Sequence, residues 1–222
     1  MTETRRLIIR RAQRRGPGAP GGVVAPHRNF DPRRVGRLEC AAWVAYYRRD
    51  WPRFLRDAVG LTRHTFGLSW PPTLYGAWLV LRANQLWAPF PDNDPDGARR
   101  TMERFYELIA RRHGETFEPR RAAALEVEWW RVHRERQHRD AADDERGLID
   151  ALAALYAYVY DVPETEVRMA AAQRALAMRY SDRWVRDGCH LASPLIGEER
   201  AALVRSYAAL LTAVHRTPAR SA

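Results

Sequence analysis

The chain has 222 residues, 37 Lys+Arg against 27 Asp+Glu and a formal net charge of +10. All 37 basic residues are arginine, which excludes any mechanism that needs a lysine of this chain, including the P-loop, protein-kinase and Schiff-base chemistries. Two cysteines, Cys40 and Cys189, exclude a Cys-rich zinc site and a disulfide framework, and a chain of this length buries enough surface to fold without either.

Arginine in place of every lysine fits the codon bias of a GC-rich genome, so the distribution of charge says more than its total. Residues 1–40 hold ten Arg against Glu3, Asp31 and Glu39, a net of +7; residues 41–100 hold eight against five acids, a net of +3; residues 101–222 are neutral, with 19 of each. The basic excess belongs to the N-terminus.

Residues 1–34 read as a flexible Arg-rich arm. Arg5, Arg6, Arg10, Arg11, Arg14 and Arg15 come in pairs ahead of the run Gly16-Pro17-Gly18-Ala19-Pro20-Gly21-Gly22, which has little reason to fold. Gly16-x-Gly18-x-x-Gly21 matches a dinucleotide fingerprint as text, but it follows no strand and its prolines spoil the helix that should come next. The Arg5-Arg6 pair lacks the apolar stretch that an export signal requires. What remains is an anion-binding arm, with nucleic acid, an acidic protein or an anionic lipid surface as the partner. The chain is expected to be cytoplasmic.

Helical periodicity governs the rest, and it predicts an all-α single-domain bundle of seven to eight helices over residues 35–217, with 218–222 as a disordered tail. Trp43, Tyr46, Tyr47, Phe54, Leu55 and Ala58 fall at helical spacing, with a break or kink at Pro52. Ser69-Trp70-Pro71-Pro72 punctuates the chain. The segment after it, with Leu74, Tyr75, Trp78, Leu79, Val80, Leu81, Leu86 and Trp87, is apolar all round. Its helical part, 73–88, is about 24 Å long and carries Arg82, too short and too charged to span a bilayer. Aromatics at both ends near a basic arm would suit an interfacial helix, but the expectation is a central core helix wrapped by its neighbours.

Further stripes are Met102, Phe105, Tyr106 and Ile109; then Leu125, Trp129 and Val132; then Leu148, Ile149, Leu152, Leu155, Tyr156 and Val159. A long helix is expected from Pro163 to about Asp187, stopped by Gly188, and a last one after Ser193-Pro194 with Leu203, Val204, Tyr207, Leu210, Leu211 and Val214 inward.

Three constellations carry chemistry. Asp92, Asp94, Asp96, Gly97 and Glu103 resemble an EF-hand calcium loop, in which the four acids would be ligands of Ca2+. Against this stand Pro89, Pro91 and Arg99, and a plain helix start at Asp94-Pro95 accounts for the same acids. Glu135-x-x-His138 has di-iron spacing but no second copy, and it points away from the expected apolar face. Glu126 and His133 lie two turns apart along one edge of that face, about 10 Å along the axis, and are the candidates for catalysis if a substrate or metal lies between them. The leading expectation is a non-catalytic interaction module whose arm contacts an anionic partner. A metal-dependent or small-ligand helical enzyme is the alternative.

Overall fold

The computed structural model describes residues 25–138 and 145–216. Every regular element among them is helical. A 3-10 turn at Pro26–Arg28 precedes α1 (Pro32–Tyr47), α2 (Trp51–Phe66), α3 (Trp70–Trp87), α4 (Pro95–His113), α5 (Pro119–His138), α6 (Arg146–Tyr160), α7 (Glu164–Arg186) and α8 (Leu195–Arg216).

The starts are written locally. The first four helices each carry proline in their first two positions, where its missing N–H costs nothing. Asp31, Asp50 and Asp94 cap α1, α2 and α4 by accepting from the backbone N–H of Arg33, Arg53 and Gly97. Pro52 therefore marks a new helix and not a kink. Gly67 and Gly114 close α2 and α4 in the left-handed region, and Gly188, at φ +89, ends the long helix where expected.

From α3 to α8 each helix packs on the next, and α1 closes on both α8 and α2; α3 meets α2 only lightly. The main core, including Leu79, Phe105, Ile109, Val127, Leu148, Leu152, Val167 and Leu210, runs from α3 to α8. A second cluster of Cys40, Val44, Ala177, Trp184, Ala202 and Leu203 joins α1, α7 and α8.

Three expectations need correcting. The arm was bounded at residue 34, yet His27 is fully buried and Phe30 is 4% exposed, so the boundary falls inside α1. Arg28 makes a bidentate pair with Glu115 and donates to the Tyr160 carbonyl, while the His215 ring bonds the Arg28 carbonyl oxygen. Residues 25–31 are thus a strap tied to α6, α8 and the α4–α5 junction. Second, α5 is turned relative to the face expected from Leu125, Trp129 and Val132. Ala122, Ala123, Val127 and Trp130 are buried with Trp129, which moves the inward side roughly 115° toward Glu126. Third, α3 is not wrapped. It buries Pro72, Thr73, Gly76, Leu79, Ala83 and Trp87 on one side and leaves the other open.

Candidate functional site

Arg5, Arg6, Arg10, Arg11, Arg14 and Arg15, with the 218–222 tail, lie outside the described residues. Their point of attachment does not. Gly67 sits so close to the strap that a Cβ there would fall 2.3 Å from Pro26 Cβ, and Gly67 is three residues before Trp70. The arm is therefore rooted at the α2–α3 junction.

The Asp92–Glu103 stretch is a helix start. Asp94 accepts from the Gly97 N–H at 2.8 Å, Pro95 opens α4, and Asp96 pairs with Arg99 at 2.5 Å. Among the described residues no group of three or more His, Cys, Asp or Glu side chains converges as metal ligands, so Asp92, Asp94, Asp96 and Glu103 do not assemble an EF-hand cage. The physical reason is that the capping bond aims Asp94 at its own helix. Glu135 and His138 are engaged locally too, Glu135 with Arg131 and His138 with the Arg134 carbonyl oxygen.

Glu126 and His133 each have partners, but not each other. Glu126, partly buried, accepts from Tyr106 Oη at 2.7 Å and from Trp130 Nε1 at 3.1 Å. Burial raises its pKa against the pull of those bonds and of the Arg174 charge, and the net direction is up. His133 Nε2 lies 3.1 Å from Asp182 Oδ2, which also accepts from Arg136, while Gln137 donates to Asp182 Oδ1. Burial works to raise Asp182, but the His133 and Gln137 bonds and the neighbouring positive charges hold it below the usual carboxylate range. Neither Glu126 nor His133 lines the cavity of about 530 Å³ beside Phe117, Arg121 and Tyr158, or that of about 330 Å³ beside Trp87, Phe90 and Arg134.

A polar network that periodicity did not reveal crosses the interior. Arg174 on α7 donates to both Glu39 oxygens, at 3.0 and 2.5 Å, and Tyr207 on α8 donates to Glu39 Oε2 at 2.5 Å. The guanidinium also lies 5.6 Å from the Trp129 ring centroid. Nearby Glu199, 2% exposed, has one oxygen without a hydrogen-bond partner among the described residues. Burial first, then the like charges of Glu39 and Asp182, push its pKa up to about 8. Desolvation likewise pushes the Cys40 thiol up to about 12, so that sulfur is an inert packing group.

The exterior of α2 and α3 has the opposite character. Trp51, Leu55, Trp70, Leu74, Tyr75 and Trp78 are each 47–55% exposed, whereas the other exposed large hydrophobics, Phe90, Met169 and Leu191, are scattered. At 100° per residue, Trp70, Leu74, Trp78 and Leu81 fall within about 80° on α3, opposite the buried Gly76 and Ala83. On α2, Trp51 and Leu55 lie on the same side as Thr62, within roughly 40°. Thr62 is what a Cβ on Gly76 would touch, so α3 covers that side of α2 at one end and leaves it open at the other. Arg63 stacks over the Trp70 ring at 4.2 Å, and Tyr75 stacks on Trp78 at 6.0 Å. From Trp51 to Pro91 the sole acid is Asp57, which is buried and held by Arg53 and Arg56.

This face was visible in the sequence as excess apolarity of one helix; what was missing was the knowledge that no other element among the described residues covers it. Comparison with protein-family models, curated proteins and solved structures gives no match to this chain.

Proposed function

We propose that the protein is a non-catalytic binding module that docks on an anionic partner through the outer face of α2 and α3, with the arginines of residues 1–24 adding attraction beside it. One observation carries the reading: six large apolar side chains stand half exposed on two adjacent helices whose only acid is buried. Four half-exposed aromatic rings alone put roughly 300–500 Å² of surface in water, as much as the largest patch of a typical monomer. Arg63 and Arg82 border it, and six of the seven charged residues in 1–24 are arginine, against Glu3 alone.

The test is binding of anilinonaphthalene sulfonate, an apolar anion, to the native full-length chain. The parent should enhance the dye's fluorescence, and Trp70→Ser/Leu74→Ser/Trp78→Ser should remove most of the enhancement while the circular-dichroism spectrum stays helical. Equal enhancement by parent and variant would sink the reading.

A further inference from the structure

We infer that the partner of this face is the surface of an anionic lipid bilayer, on which α2 and α3 lie flat with Trp51, Leu55, Trp70, Leu74 and Trp78 inserted. The inference rests on the docking reading above and names its partner.

The shape of the face favours a bilayer. The two cavities of about 530 and 330 Å³ are lined by residues from Trp87 onward, so none of the six exposed side chains lines either of them. A bilayer accepts a convex apolar ridge, and its interface prefers tryptophan and tyrosine, whose rings are apolar with one polar edge. The length agrees: α3 has 18 residues, about 27 Å, and no helix of the described residues is long and apolar enough to cross a membrane. It can lie on a bilayer, not through one.

The chemistry disfavours a nucleic acid on the same residues. Single strands are held by free aromatic faces on which bases stack. Here Tyr75 and Trp78 already stack on each other, and the Arg63 guanidinium covers Trp70. Leu55, Leu74 and Leu81 offer bases nothing that water does not, whereas acyl chains accept all three.

The charge supplies the headgroup. Arg63 stacks on Trp70, exposed Arg82 lies one turn beyond Trp78, and the chain that follows residues 1–24 starts where Pro26 packs on Gly67, next to Trp70. Apolar insertion and a basic patch together give the two signals that stable attachment to a membrane surface requires.

The experiment is co-sedimentation of the full chain with phosphatidylcholine vesicles, plain or containing about one third phosphatidylserine. The parent should bind the anionic vesicles, and brominated acyl chains should quench its tryptophan emission. Trp70→Ser/Leu74→Ser/Trp78→Ser should weaken that binding at least roughly tenfold, and plain vesicles or deletion of residues 1–24 should weaken it by a smaller, salt-dependent factor. Vesicle binding that ignores the triple substitution would overturn the inference, since the arm alone would then account for it. So would tighter binding to single-stranded nucleic acid through the same residues, or a lipid-independent dimer that the triple substitution dissolves. If dye binding responds to the triple variant but vesicle binding is absent, the docking face stands and the lipid partner falls; if neither responds, both fall.

Discussion

The interior between α1, α7 and α8 and the outer face of α2 and α3 have exchanged the usual roles of polar and apolar residues. Inside, Glu39, Arg174, Asp182 and Glu199 are withdrawn from water; outside, three tryptophans, a tyrosine and two leucines are left in it. The inner charges are tolerable because nearly all are paired: Arg174 answers Glu39, and His133 and Arg136 answer Asp182. The outer rings are left half in water: Tyr75 and Trp78 have each other, Trp70 has Arg63, and Trp51 meets Tyr46 and Phe54 edge-on. A buried group without a partner is penalised within the fold, whereas an exposed apolar group without one is a surface waiting for something outside it.

The sharpest way to break this comparison is Arg174→Met. It strands Glu39 without its cation and should cost about 3–5 kcal/mol in urea unfolding, while adding Glu39→Gln should recover much of the loss. A double variant as unstable as the single one would show that packing of the arginine stem, not charge pairing, is what the network contributes.

Glu199 sharpens the same point through pH. Held up at about 8, it keeps a proton in the fold over the interval in which the unfolded chain, with an ordinary carboxyl pKa near 4.5, has lost it. Stability should therefore fall as pH rises from about 5 to about 8. Glu199→Gln has no proton to lose, so its advantage over the parent should widen across that window to roughly 4–5 kcal/mol and then level off. Thermal melts at several pH values would show it, and a constant gap would place the titration elsewhere.

The smallest expected effect lies on the outer face. Trp70→Ser/Leu74→Ser/Trp78→Ser removes three large side chains, yet it should change folding stability by only about 1 kcal/mol or less, because each is half in water already. A loss comparable to that of Arg174→Met would mean the ridge supports the bundle and is no spare surface.

Local signals carried the helices and most of their ends. Proline at Pro32, Pro52, Pro71 and Pro95 with aspartate or serine before it, and Gly188 after α7, need only the chemistry of a few consecutive residues. The stripes of α6 and α8 were legible for the same reason. The strap was not: His27 and Phe30 stand alone among prolines and arginines, with no period to announce burial, and their partners are residues such as Glu115 and Tyr207. Glu126 was picked out as chemically dense, but its partners Tyr106 and Trp130 came only with the rotation of α5. The α3 face shows the limit most plainly, because apolarity on every side is written in the residues while exposure of one side depends on what packs there.

The sequence by itself determined an all-helical chain, the start of α4 at Asp94-Pro95, the glycine stop of α7, and an N-terminus carrying the excess of positive charge. Tertiary structure alone decided that Glu39 meets Arg174 across 135 positions, that the strap leading from residues 1–24 packs beside Trp70, and that no element among the described residues covers the outer side of α3. The division follows the reach of the forces: caps, turns and periodicity act within a few residues, whereas burial and ion pairing depend on which surfaces the folded chain has left to cover.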